Sequence, residues 1–200
     1  MISATDIARL KVTMDDVEPA VMRRLEVPLD LRLDRLHTVL QIAIGWTNSH
    51  LWEFRARDIG WGIPDPDWPD GPLDARKATL LGVLEDTGAK TLRYLYDFGD
   101  GWEHAIKVER IDAPEPDVLY PRLLAAKGRC PPEDIGGPWG YAEFLEAIAD
   151  PEHDRYEELT EWYPEDFDPT LVETDWIEKE LTKLAKRWSR KPATRKKKTT

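Results

Sequence analysis

The segment from Tyr96 to His104 brings side chains with acid–base and metal-binding chemistry close together. It holds Asp97, Asp100 and Glu103 beside His104, between large aromatic residues. Carboxylates and imidazole bind divalent metals, and a carboxyl group next to another carboxylate can act as a general acid. Asp is also common in turns, so the favoured alternative is structural: Asp97 and Asp100 cap turn amides while Glu103 points to solvent.

A second cluster lies in the turn 130–137, which reads Cys-Pro-Pro-Glu-Asp-Ile-Gly-Gly. The rigid Pro-Pro entry and the permissive Gly-Gly exit would hold Glu133 and Asp134 in fixed positions. These carboxylates could contact a substrate or a metal, or they could cap neighbouring backbone N–H groups. Cys130 is the only cysteine and is interpreted as a structural thiol, because a reactive thiol needs an electropositive setting.

Three histidines are predicted to face one apolar core: His37 from a helix, His50 from a strand and His104 from a hairpin. Converging imidazoles can coordinate zinc or iron. Their spacing matches no short metal motif, and a single histidine on an apolar face is usually a hydrogen-bonded core residue. No cofactor is therefore predicted, and a divalent metal remains possible.

Several well-known chemistries lack their motifs. The sequence contains neither of the glycine-rich phosphate-binding patterns G-x-G-x-x-G and G-x-x-x-x-G-K-[ST]. It has no G-x-S-x-G nucleophile elbow, and one cysteine cannot build a zinc ribbon. Acyl transfer and zinc-finger functions are thus unsupported.

Charge is distributed unevenly along the chain. Residues 181–200 hold nine Lys or Arg and no acidic residue, whereas residues 1–180 hold 19 basic against 39 acidic residues. Residues 189–200 are predicted to be a disordered basic tail that could bind nucleic acid through its phosphates. With no membrane-length apolar run and no signal-peptide pattern, the protein is expected to be soluble and cytoplasmic.

The acidic segment 150–168 carries nine Asp or Glu with four aromatic residues. Aromatic side chains anchor interfaces and charge steers encounter, so this segment could dock an unknown, basic protein partner. It could equally be a solvated helical face whose aromatics turn to the core.

Hydrophobic periodicity predicts an α+β fold, with strand-rich residues first and helix-rich residues last. The expectation is an antiparallel sheet with a packed helix in the N-terminal two-thirds, a helical C-terminal third, and a single domain over residues 1–188. The predicted elements are strands at 7–14, 20–27 and 50–57, a helix at 31–44 with Asp30 as its N-cap and Gly45 at its C-terminal cap, a loop at 60–76, a short helix at 77–86, a hairpin at 91–98 and 102–111, and a helical segment at 121–127.

The hairpin register has a chemical consequence. A three-residue loop at 99–101 would pair Tyr96 with His104 and keep the large apolar side chains on one face. Asp97 would then lie opposite Glu103, and two carboxylates directly across a ladder repel unless a cation lies between them.

A set of short motifs runs through the chain: Pro19 with Met22-Arg23-Arg24, Leu36-His37, Gly45-Trp46, His50-Leu51, Phe54, Tyr96-Asp97-Phe98-Gly99-Asp100, Trp102, His104, the turn 130–137 and Gly140-Tyr141. In these motifs the chain resembles the plasmid pRiA4b open-reading-frame-three-like proteins, over about residues 5–185. The resemblance implies an association with plasmids and chromosomes, with some members labelled passenger proteins of insertion elements, and it carries over no activity or catalytic residues.

Three classes of function follow from these features. The leading hypothesis is a non-enzymatic interaction or accessory module associated with plasmids or mobile elements. The alternative is a metal-dependent hydrolase or nuclease using the histidines or the carboxylates described above. The third is a DNA-binding protein that acts through the basic tail.

Overall fold

A mostly antiparallel sheet of eight strands forms the centre of the molecule, in a computed structural model that describes residues 2–189. The strand order is β5-β4-β3-β6-β7-β1-β2-β8, and only β4 and β5 pair in parallel. The fold therefore combines helices with a mostly antiparallel sheet, as the sequence predicts.

In chain order the elements are β1 Ile7–Met14, β2 Met22–Pro28, α1 Leu33–Ile44, β3 Trp52–Ala56, β4 Ile59–Gly62, β5 Leu73–Asp74, α2 Leu80–Thr87, β6 Thr91–Tyr96, β7 Trp102–Asp112, β8 Arg122–Lys127, α3 Gly137–Ala149, α4 Tyr156–Trp162 and α5 Thr174–Ser189.

Helix α1 contributes its apolar stripe to the core. One face of the helix is buried, from Leu33 to Ile44. The helix ends at Gly45, whose φ of 111° is the left-handed conformation that glycine adopts most easily. The prediction of Asp30 as the N-cap is wrong. Arg32 occupies that position without a side-chain cap, and its guanidinium pairs with Asp34 in the first turn.

The central hairpin differs from the predicted register by two residues. Tyr96 pairs with Trp102, and Tyr94 pairs with His104, so the connection is the five-residue loop 97–101. The left-handed backbone of Asp97, with φ of 56°, takes this residue out of the ladder. A shift of two preserves the faces, because side chains alternate with period two. Aromatic residues and His104 therefore still face the core.

Two segments form strands that the sequence analysis did not predict. Residues 122–127 form β8, which pairs antiparallel with β2, rather than a helical segment. The predicted loop 60–76 contains part of β4 and all of β5. Short strands such as these are decided by the neighbour with which they pair, which lies far away in sequence.

Within residues 2–189, no helix is long and apolar enough to cross a membrane. The predicted basic tail lies outside the described residues except for Ser189, which ends α5.

Candidate metal site

Three loops meet at one end of the β3–β6–β7 part of the sheet and bring together His50, Asp97 and Asp134. His50 lies two residues before β3, Asp97 directly follows β6, and Asp134 lies in the turn 130–137. One ligand atom from each residue lies within 4.8 Å of the other two, and among the described residues this is the one group of three or more potential ligands with that geometry.

Asp97 is fixed by its own turn. Its backbone N–H donates to the carbonyl of Leu51 at 2.9 Å, and its Oδ1 accepts from the backbone N–H of Gly99 at 3.0 Å. Its other carboxylate oxygen, Oδ2, lies 3.5 Å from Nδ1 of His50. One carboxylate oxygen of Asp97 thus caps the turn, as predicted, and the other contacts His50.

Asp134 occupies a left-handed backbone position, with φ of 62°, and its side chain is 70% exposed. The preceding residue, Glu133, anchors this turn through both carboxylate oxygens. Its Oε1 accepts from the hydroxyl of Tyr96 at 2.5 Å, and its Oε2 accepts from the backbone N–H and the hydroxyl of Thr47. Glu133 therefore positions Asp134 and does not face the histidine.

The hairpin loop also interlocks with the turn 130–137. Oδ2 of Asp100 accepts a hydrogen bond from the backbone N–H of Gly136 at 3.1 Å. Gly137 has φ of 71°, and a Cβ there would lie 2.2 Å from the carbonyl oxygen of Asp100. Asp100 thus fixes the spacing between the two loops that carry Asp97 and Asp134.

His50 lies between the two aspartates with its ring nitrogens towards them. Its Nε2 is 3.1 Å from Oδ1 of Asp134, yet this buried nitrogen makes no well-directed hydrogen bond within the described part of the chain. A neutral imidazole has one N–H, so it can donate to one of the two carboxylates at most. Two carboxylates around one imidazole form a site that favours an added positive charge.

His37 and His104 lie in the core and do not join this cluster. His37 bonds to the hydroxyl of Tyr94 at 2.8 Å and to Oδ1 of Asn48 at 2.6 Å. Nδ1 of His104 lies 3.1 Å from the backbone carbonyl of Tyr94, an acceptor that requires an N–H at that nitrogen. Burial lowers the pKa of both imidazoles to about 4, which keeps them uncharged near neutral pH.

Glu103 points away from the cluster, which corrects the predicted pairing. It lies opposite Leu95, not Asp97, because of the two-residue change in register. Its carboxylate is 3.7 Å from Nε of Arg93. The expected repulsion between Asp97 and Glu103 therefore does not arise.

The acidic segment 150–168 turns part of its aromatic surface inwards. Tyr163 and Phe167 stack edge-to-face on Phe144 of α3, with ring centroids 5.8 and 5.3 Å apart. Trp162 remains 45% exposed.

Two residues that sequence reasoning gave no chemical role support the site. Tyr96 and Thr47 hold Glu133 from two different segments. No local pattern could have identified them, because each contact joins residues far apart in the chain.

The model of the plasmid pRiA4b ORF-3-like protein family matches residues 6–176. The chain belongs to this family. The resemblance identified from the hairpin and the turn 130–137 is thereby confirmed, and the match includes every residue of the His50 cluster.

Relatives extend the comparison across most of the chain. The uncharacterized protein y4hQ of Sinorhizobium fredii (strain NBRC 101917 / NGR234) is 57% identical over 186 residues, which cover 92% of this chain and 95% of the relative. A crystal structure of a protein of unknown function, MM3350 from Methanosarcina mazei Go1, is similar with a TM-score of 0.77 and 32% identity, over 86% of this chain and 98% of that one.

Proposed function

We propose that this protein is an accessory binding module in which a divalent metal ion, held by His50, Asp97 and Asp134, fixes three loops into one binding face. The observation that carries the proposal is the convergence of these three side chains, from separate segments, to within 4.8 Å of one another. Holding three loops in this arrangement costs conformational entropy when the chain folds.

A metal ion fits the electrostatics of the cluster. One nitrogen and two carboxylate oxygens form a mixed ligand set that suits manganese, iron or zinc. The cation would offset the repulsion between Asp97 and Asp134. It would also coordinate Nε2 of His50, which makes no hydrogen bond to the described residues. Three protein ligands leave coordination positions for water or for a group from a partner.

Exposed apolar side chains adjoin these ligands along the chain and support a protein partner. Leu51 follows His50 and is 58% exposed, and Phe98 follows Asp97 and is 50% exposed. Trp139, in the first turn of α3, is 89% exposed. Aromatic and aliphatic side chains of this kind anchor protein interfaces. Because the family is named after an open reading frame of plasmid pRiA4b, plasmid-encoded proteins are the first partners to test.

The test is metal content and calorimetry on protein purified without a tag or chelator. We expect about one equivalent of metal, or saturable one-site binding of manganese or zinc to the metal-free protein. Asp134→Asn should abolish that binding, because it removes one negatively charged ligand. The matched control is Asp117→Asn, since Asp117 has the same left-handed φ of 62° and lies outside the cluster.

Two results would reject the proposal. One is the absence of binding by the unmodified protein for manganese, zinc and iron alike. The other is equal affinity in the Asp134→Asn and Asp117→Asn variants, which would place any bound metal elsewhere.

Metal-dependent hydrolysis is the second candidate, favoured by the 70% exposure of the Asp134 side chain, which leaves room for a metal-bound water. The assay is cleavage of bis(p-nitrophenyl) phosphate and of DNA by the metal-loaded protein. Turnover that is lost in Asp134→Asn and retained in Asp117→Asn supports a hydrolase or nuclease. Equal rates in the two variants would exclude this site as the catalyst.

A further inference from the structure

Arg23, on β2 beside the edge strand β8, carries a buried charge that no carboxylate of the described residues pairs with. The residue is 2% exposed, and no Asp or Glu forms an ion pair with it in the described chain. Charged side chains are almost never fully buried unless they are paired, so this guanidinium calls for an explanation.

Backbone carbonyls satisfy only part of the guanidinium. Nε donates to Ala43 in the last turn of α1 at 2.6 Å, and Nη1 donates to the carbonyls of Met22, Lys127 and Gly128. The negative end of the α1 dipole lies beside the charge. The remaining nitrogen, Nη2, makes no hydrogen bond to residues 2–189.

Arg23 lines a cavity of about 290 Å³ between the end of α1, the turn 130–137 and the segment that leads into α5. A second cation, Arg129, also lines it, with its guanidinium 4.7 Å from the ring centre of Phe167. Apolar side chains contribute about half of the cavity surface, among them Ile44, Trp46, Phe167, Leu171, Val172 and Trp176.

The two carboxylates at this cavity do not neutralise Arg23. Glu133 directs both oxygens to Tyr96 and Thr47. Glu173 is exposed to solvent. The cavity thus combines a buried cation that retains free N–H donors with a patch of apolar side chains, and this pairing favours a ligand that is anionic at one end and apolar along its body.

We propose that this cavity binds a small carboxylic acid with an apolar body, whose carboxylate meets Arg23 and Arg129. The volume lies near the lower end of the range of about 300–1,000 Å³ that is typical of ligand pockets, which favours a short ligand. A carboxylate fits better than a phosphate, because one free nitrogen of Arg23 and one further Arg match a single negative charge. This site shares the turn 130–137 with the His50 cluster, but it uses none of the three proposed metal ligands and does not depend on a metal.

The test is isothermal titration calorimetry with octanoate, in parallel with octylamine and inorganic phosphate at equal ionic strength. Octanoate should bind saturably at one site, whereas octylamine and phosphate should not. Octylamine has the same apolar chain with the opposite charge, and phosphate has the charge without the chain. The comparison therefore separates the two features that define the site.

Charge variants at the cavity supply the second test. Arg23 also ties β2 to α1 and β8, so its replacement is expected to destabilise the fold, and Arg129 and Glu173 are the informative positions. Arg129→Gln should weaken octanoate binding by about threefold or more, because it removes a positive charge near the bound carboxylate. Glu173→Gln should strengthen binding by about threefold, because it removes a negative charge there. Glu178→Gln, an exposed change on α5 away from the cavity, should leave it unchanged.

The absence of saturable octanoate binding, in both the unmodified protein and Glu173→Gln, would overturn the proposal. So would equal binding of octanoate and octylamine. Arg23 would then be a structural clamp that holds the end of α1 to the sheet.

Discussion

The hydroxyl of Tyr96 donates a hydrogen bond of 2.5 Å to Oε1 of Glu133 and thereby joins the end of β6 to the turn that carries Asp134. The other oxygen of Glu133 accepts from Thr47, three residues before His50. Burial, and then this bond to Glu133, raise the pKa of the Tyr96 phenol, so the phenol stays protonated and remains a donor at neutral pH. One carboxylate therefore links all three loops of the site.

Replacing Glu133 by Gln should loosen that junction. The amide nitrogen cannot accept a hydrogen bond, so Glu133→Gln loses either the hydrogen bond donated by Tyr96 or those donated by Thr47. We expect the free energy of unfolding to fall by about 1–2 kcal/mol, and the affinity for manganese to fall by at least about tenfold through displacement of Asp134. Urea denaturation and calorimetry measure the two effects. Glu152→Gln, an exposed change outside the site, is the control, and unchanged manganese affinity in Glu133→Gln would contradict the positioning role.

Metal binding should stabilise the folded chain. A ligand at 100 times its dissociation constant adds about 2.7 kcal/mol to the free energy of unfolding if it binds only the folded state. Thermal or urea unfolding with manganese, with and without chelator, measures this gain. Asp134→Asn should show no gain, and a gain of equal size in that variant would move the metal to another site.

The buried histidines should make stability depend on pH. The pKa of His37 and His104 falls from 6.5 to about 4 through burial, so the unfolded chain binds more protons between these values. Stability is therefore retained above pH 6.5 and is lost as the pH falls towards 4, by at most about 1.4 kcal/mol per pH unit for each histidine.

Urea unfolding between pH 7.5 and 4.5 tests this dependence. His104→Gln should be less stable at pH 7 and should show a shallower fall, because one titrating group is gone. If the free energy of unfolding of His104→Gln falls with pH as steeply as that of the unmodified protein, carboxylates and not this histidine cause the loss of stability at low pH.

Gly137→Ala should cost more stability than Gly88→Ala. Both glycines are left-handed, with φ of 71° and 63°, so both substitutions incur a backbone cost of about 1–2 kcal/mol. Only the new Cβ at position 137 meets another group, the carbonyl oxygen of Asp100, whereas position 88 is open. Urea denaturation of the pair isolates the contact between the hairpin loop and the turn 130–137, and equal losses would show that this contact is not tight.

Local patterns in the sequence predict those parts of the fold that depend on near neighbours. The stripe of α1 and its end at Gly45 follow from helical periodicity and from the freedom of glycine. The two faces of the β6–β7 hairpin follow from alternation, which survives a register change of two residues. The register itself was wrong, because Asp97 leaves the ladder to cap its own loop, and alternation carries no information about that choice.

The sequence by itself determined which residues could do chemistry in this protein: His37, His50 and His104, the hairpin carboxylates, and Glu133 with Asp134. Only the tertiary structure decided which of them meet. His37 and His104 became neutral core residues, Glu103 turned to Arg93, and His50 joined Asp97 and Asp134. The reason is physical: residue type and spacing act over a few positions, whereas the distance between two loops depends on long-range strand pairing and on contacts such as Tyr96–Glu133 that no local pattern encodes.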